Sequence, residues 1–390
     1  MKIWSKNIRH FLFIFFGILL LLILLEFIVP NLFSVSYGES QNNDIQNKIK
    51  SSNSVEKEEL KHTASHIERP EMMKSLYMTA CVAGTPSWRE RLAKLIDDTE
   101  LNSIVIDIKD FSGMVSYDTE LSDFVPNSNC FVRDMKDFIE ELHSRNIYVI
   151  GRVTVFQDST FTKEFPEFAV KKKDGTTWKD RKGLAFVDVG SKPYWEHIVK
   201  LAKKAYEDGF DEINFDYIRY PSDGNMENIW FSQSNASSTK AENLGIFFSY
   251  LRANIEEGKP IISGDLFGMT TTNNDDLNIG QKLEVALKNF DYVYPMVYPS
   301  HYPATWNGFK NPAEHPGEVV KLAMQGAVEK ARGASTTPDK LCPWIQDFDL
   351  GATYTAGMVR AQIQSTYDVG LKCWLLWDAG NNYTPSALLK

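Results

Sequence analysis

The chain has 390 residues, 42 Lys+Arg against 51 Asp+Glu and a net charge of −9. At 43% hydrophobic and 24% charged residues it is too apolar for a disordered protein. Its acidic balance argues against nucleic acid as a partner, since phosphate binding needs a basic surface.

In chain order, Lys2, Lys6 and Arg9 precede an apolar run over 11–29 that is broken only by Glu26. About twenty apolar residues span a bilayer, and a basic flank holds the amino end inside. Residues 1–30 are therefore expected to be a cytoplasmic stub and an uncleaved signal anchor contacting the lipid bilayer through 11–29. Cleavage near Ser34-Val35-Ser36 would instead give a secreted protein. Residues 31–70 are rich in Ser, Asn, Gln, Lys and Glu and read as a disordered linker. The folded part, 71–390, should then lie outside the cell. It carries the whole acidic excess, which suits neutral or basic substrates better than anionic polymers, although local charge in a cleft can oppose the total.

From residue 75 on, short apolar segments alternate with amphipathic ones. Strands are predicted over 76–82, 103–109, 148–156, 212–220, 260–267, 292–298, 341–348 and 371–377, each nearly continuously apolar, as in a parallel sheet buried on both faces. Between them, Phe131, Met135, Phe138, Ile139 and Leu142 form a helical stripe. Similar stripes are Tyr194 to Ala205, Leu244 to Ile255 and Ile279 to Phe290. Eight such units predict an α/β (β/α)₈ TIM barrel. Its eighth helix is the weak point, because only thirteen residues follow Trp377. An open doubly wound sheet is the alternative, but the turn after the first strand, Ala80 to Pro86, is not a phosphate-binding Gly-rich loop.

In such a barrel the chemistry sits at the carboxyl ends of the strands. Polar groups gather there: Asp107 and Lys109 on the second strand, Arg152 on the third, Asp216 and Arg219 on the fourth and Asp265 on the fifth. Asp347 ends the seventh strand, and Trp377 and Asp378 end the eighth. Ionised carboxylates buried in apolar strands cost several kcal/mol unless paired, so this pattern reads as a functional cluster. Glycoside hydrolysis suits it, with one carboxyl protonating the leaving oxygen and another attacking or activating water. Neighbouring strands lie about 4.8 Å apart, which puts Asp216 and Asp265 within reach of the roughly 5–5.5 Å separation of retaining enzymes. Tyr298, His301 and Trp306 are expected to touch sugar, as are the loop aromatics Trp178, Trp230 and Tyr302. No metal or other cofactor is expected, since no HxH, HExxH or CxxC occurs. The four cysteines read as buried thiols, although Cys342 and Cys373 fall on neighbouring strands.

Several stretches carry a resemblance to a known family: Thr99 to Asp110 with Gly113, Phe215-Asp216-Tyr217-Ile218-Arg219-Tyr220-Pro221, Pro295 to Tyr302, and Trp374-Leu375-Leu376-Trp377-Asp378. Over about 76–383 the chain resembles a bacterial family of glycoside hydrolase-like TIM barrels, distantly similar to the α-amylase type of glycosidase. The resemblance implies a nucleophile at the end of strand four, Asp216. It places the acid/base at the end of strand five, where this chain has Asp265 in place of the usual Glu. Asp107, Lys109, Arg152, Arg219, Tyr298, His301, Trp306, Asp347, Trp377 and Asp378 would bind the polysaccharide or oligosaccharide substrate. The competing expectation is a catalytically inactive barrel that binds glycans at the cell surface.

Overall fold

A computed structural model describes residues 64–256 and 259–390. The expected anchor at 11–29 and most of the linker lie outside the described residues. No described helix is long and apolar enough to cross a membrane.

Eight parallel strands close into a barrel: β1 (Lys74–Met78), β2 (Ser103–Lys109), β3 (Tyr148–Thr154), β4 (Glu212–Asp216), β5 (Ile261–Phe267), β6 (Tyr292–Met296), β7 (Trp344–Gln346) and β8 (Trp374–Trp377). Pairing of Lys74 with Trp374 and of Leu76 with Leu376 completes the cylinder and rules out the open sheet. Seven helices wrap it: α1 (Pro86–Asp97), α2 (Met135–Ser144), α3 (Lys192–Glu207), α4 (Lys240–Asn254), α5 (Leu283–Asn289), α6 (Pro316–Gly333) and α7 (Ala356–Asp368). After β8 there is only a turn, Pro385–Ala387. The carboxyl-terminal segment covers the seam instead. The Glu100 amide donates to the Leu389 carbonyl at 2.8 Å, and the Glu100 carboxylate takes Lys74, Arg360 and the Leu389 amide.

Strand alternation divides the apolar side chains into two clusters. Ile104, Ile106, Val149, Val153, Ile213 and Phe215 point outward and meet the helix stripes, whose Phe138, Ile139, Ile198, Leu244, Phe248 and Leu287 are buried. Tyr77, Val105, Tyr148, Ile150, Tyr294, Trp344 and Leu375 fill the barrel interior. Several strands are shorter than their apolar runs predict. β1 stops where Thr79 caps a one-turn helix at Ala80–Ala83. β4 stops at Asp216 because Tyr217 adopts φ +51°, the left-handed region that breaks a ladder.

The thiol expectation is overturned. Cys81 is disulfide-bonded to Cys130, and Cys342 to Cys373, whose Cα atoms on the adjacent β7 and β8 side of the barrel are 5.1 Å apart. Two disulfides mark the barrel as an extracellular domain.

Residues 64–70, expected in the linker, are instead packed against the barrel's amino-terminal pole. The His66 ring stacks on Tyr206 at 4.0 Å, and the Ile67 amide donates to Asp211 at 3.0 Å. Arg69 lies 3.5 Å above the Tyr292 ring, with its Nε 3.4 Å from the Glu212 carboxylate. Glu212 is fully buried and also accepts from the Tyr148 and Tyr294 hydroxyls. Arg69 is thus the counter-ion that allows a charge at this closed end. Arg69→Ala is expected to destabilise the protein by roughly 3 kcal/mol in denaturant unfolding, because it strands a buried carboxylate. Adding Glu212→Gln to that variant should recover more than half of the loss.

Candidate active site

The opposite, carboxyl-terminal pole holds a cleft of about 350 Å³. Its walls include Arg152, Asp216, Tyr217, Arg219, Tyr298 and Trp377. Phe267, Met269, His301 and Tyr302 complete the aromatic and apolar side. Gly268 stands where the chain passes closest to β6, since a Cβ there would lie 2.4 Å from the Met296 carbonyl oxygen.

The polar floor is organised around Arg152. Register places it beside Asp107 on β2 and Asn214 on β4. Its Nη1 donates to Asp107 Oδ1 at 2.7 Å, and its Nε to Asp216 Oδ2 at 3.1 Å, with a second contact from Nη2 to the same oxygen. Asp265 Oδ2 lies 4.0 Å from the same Nε. Two carboxylate oxygens at 3.1 and 4.0 Å from one nitrogen are within about 7 Å of each other, a range that includes both geometries of glycoside hydrolysis.

Each carboxylate is oriented by a further donor. Tyr77 Oη donates to Asp107 at 2.5 Å. Asn214 Nδ2 and Trp344 Nε1 both donate to Asp265 Oδ1 at 2.9 Å. The Tyr217 amide donates to Asp216 Oδ1 at 2.5 Å. Three carboxyl groups around one guanidinium leave an excess of negative charge in a nearly dry layer. Burial, then repulsion from Asp216, raises Asp265 well above the usual carboxylate range, against the opposing pull of Arg152. Burial raises Asp107 as well, with Arg152 working against it. Arg152 is pushed down by burial, but Asp216 and Asp107 outweigh that and hold it firmly charged. Within the group, burial and repulsion favour protonation of Asp265 most strongly.

Asp216 and Asp265 differ in depth. Register sets Asp216 beside Asp265, but Asp216 lines the cleft, whereas Asp265 is 1% exposed and does not. Asp107 is likewise beneath the floor.

Four expected substrate contacts lie elsewhere. A register shift between Asp107 and Lys109 pairs Lys109 with Val153 and turns it out of the barrel. Its Nζ there meets Asp158 at 2.8 Å, the Thr154 carbonyl at 2.7 Å and Tyr194 Oη at 3.2 Å, fully buried behind α3. Asp347 holds the Thr384 amide and hydroxyl at 2.8 and 2.7 Å. Asp378 accepts the Gly380 amide within its own turn. Trp306 packs behind Tyr302, ring centres 4.5 Å apart, off the cleft wall. Of the other loop aromatics only Tyr302 lines the cleft, since Trp178 is buried and Trp230 is exposed away from it. Tyr77, Asn214 and Trp344 escaped the sequence reading because they sit inside apolar strands, where nothing in the pattern separates a polar partner from core. Among the described residues no group of three or more His, Cys, Asp or Glu is placed to hold a metal ion.

The family model described as "Putative glycosyl hydrolase domain" matches residues 75–383. The chain belongs to that family. No curated protein sequence matches it. Among solved structures, the glycoside hydrolase domain of PgaB (BpsB) from Bordetella bronchiseptica is similar at 13% identity and TM-score 0.57, covering 79% of this chain and 94% of that one. An α-galactosidase from Thermus thermophilus aligns at 12% identity and TM-score 0.52, over 83% of this chain and 61% of that one. These two likenesses concern the fold. A hypothetical protein from Ruminiclostridium thermocellum is 30% identical over 52% of this chain and 98% of its own, with a TM-score of 0.45.

The raised Asp265 has a consequence for stability. Its folded value exceeds its unfolded one, so the contribution of Asp265 to stability is complete below about pH 4 and declines as pH rises towards the folded value. Asp265→Asn, whose amide needs no proton, should lose this decline. The melting temperature of the variant relative to the unmutated protein is expected to increase steadily between about pH 4 and 7.

Proposed function

We propose that the glycosyl hydrolase domain cleaves an O-glycosidic bond in the cleft, with Asp216 as nucleophile and Asp265 as the paired acid/base. The observation that carries this reading is the unequal pair on one guanidinium. Asp216 faces the cleft and pairs with Arg152, and burial beside it raises the proton affinity of Asp265. Carboxyl groups whose environments push their proton affinities apart are the usual acid and base of such chemistry.

Trp377 and Tyr298 offer ring faces and edges against which a sugar can lie, and Arg152 stabilises the charge returning to Asp216 when the glycosyl bond breaks. Adjacent strands carry the two carboxyl groups, which favours retention of configuration. The substrate is an extracellular or cell-envelope polysaccharide. The disulfides support this, as does the amino-terminal apolar run, by which the chain is anchored in the membrane or, if cleaved, secreted.

A second reading is favoured by one observation, the depth of Asp265, which gives a leaving group little direct access to its proton. On that reading the barrel binds glycans without cleaving them.

Activity on a panel of envelope and matrix glycans separates the two. Asp216→Asn should lower kcat by at least about 10³-fold. Asp265→Asn should lower it roughly 10²-fold or more and abolish the fall in kcat/KM that deprotonation of Asp265 causes as pH rises. Binding without turnover by the unmutated protein would establish the second reading.

A further inference from the structure

The side chains of Arg69, Arg152 and Arg219 are largely withdrawn from solvent, and two of them are neutralised. Arg69 has Glu212, and Arg152 has Asp107 and Asp216. Arg219 has no such partner. It is 9% exposed and lines the cleft beside Asp216, yet no carboxylate among the described residues comes within ion-pair distance of it. Its Nη1 donates to the Tyr220 carbonyl at 3.0 Å and to Ser222 Oγ at 3.2 Å. Its guanidinium carbon lies 5.0 Å from the ring centres of Tyr217 and Phe267 and 5.8 Å from that of Phe186.

Asp216, the acid beside it in the cleft, is held by Arg152, and the next acids are engaged elsewhere. Asp223 pairs with Arg181 at 3.3 Å, and Asp180 Oδ1 accepts the amides of Lys182 and Leu184. Nε and Nη2 of Arg219 donate to no described protein atom, and neither is a sealed, partnerless buried nitrogen, so this edge opens onto the cleft. Aromatic walls fix the fork in place and exclude water from its sides, which strengthens its attraction for an anion. A charge buried in this way, without a counter-ion, costs several kcal/mol in the empty protein. A ligand that supplied a carboxylate would relieve that cost, with the two-point geometry guanidinium prefers.

We infer that the cleft takes a glycan whose sugar bears a carboxylate, seated on the open edge of Arg219. The inference rests on the hydrolase reading for its reaction but not for its binding. It also opposes the overall acidity of the domain, because Arg219 is a local cation with no ion-pair partner of its own among the described residues. The carboxylate belongs either to a uronic acid ring or to a lactyl ether on an amino sugar.

The full-length protein is assayed on oligouronides and on lactyl-ether-bearing glycan strands, each matched with the same glycan after its carboxyl groups are reduced to alcohols. In the responding set, kcat/KM should favour the carboxylated member by at least about tenfold, chiefly through KM, as expected of one charge-assisted pair. Arg219→Gln should bring that ratio close to one, and Arg219→Lys should retain part of it, with melting temperatures verifying that both variants fold. Equal kcat/KM for carboxylated and reduced members of both sets, or a preference that survives Arg219→Gln, overturns the inference and leaves hydrolysis standing. If no glycan is turned over, calorimetric binding reads the same ratio. A carboxylate preference lost in Arg219→Gln then upholds the inference while the hydrolase reading falls, and no such preference sinks the inference too.

Discussion

One buried guanidinium organises the carboxyl-terminal pole of this barrel. Arg152 is the only cation in contact with Asp107, Asp216 and Asp265 among the described residues, so one positive charge faces three acids. In a water-poor layer that imbalance raises the proton affinity of Asp265, the deepest of them, most strongly. Tyr77, Asn214 and Trp344 fix how each acid meets the arginine. Loss of the Arg152 charge would therefore alter the ionisation and direction of the whole group.

The two poles solve the same electrostatic problem differently. At the amino-terminal pole one arginine meets one glutamate, with tyrosine hydroxyls completing its shell, and the result is a closed plug. At the other pole the charges are unequal and one face is open to a cleft. A matched buried pair is a structural element, while an unmatched set retains the capacity to exchange a proton or accept a ligand. Arg219 extends that contrast, as a buried cation with no ion-pair partner among the described residues.

Much of this was legible in the sequence. Near-continuous apolar runs at regular intervals gave all eight strands, and acids inside those runs marked the pole where they converge. What escaped was set by one-residue events. A register shift after Asp107 reverses Lys109, which strict alternation would point inward. Asp216 lines the cleft and Asp265 beside it does not, although both acids read alike in the sequence. The Cys81–Cys130 link joins the one-turn helix after β1 to the loop after β2, whose approach depends on the closed barrel, so spacing alone could not reveal it. Residues 64–70 looked like linker because their composition is polar. Their role comes from two long-range contacts, Ile67 with Asp211 and Arg69 with Glu212, which composition does not encode.

The backbone at Tyr217 carries a further implication. Its left-handed conformation is disfavoured for an aromatic residue, and a glycine would adopt it without strain. Yet its ring walls the cleft and flanks the guanidinium of Arg219, while its amide steadies Asp216. Relaxing the main chain and keeping that ring are mutually exclusive choices at this position. Glycine would relieve about 1–2 kcal/mol of strain but lose the packing of a largely covered aromatic ring, so the strained main chain persists because of the ring it presents.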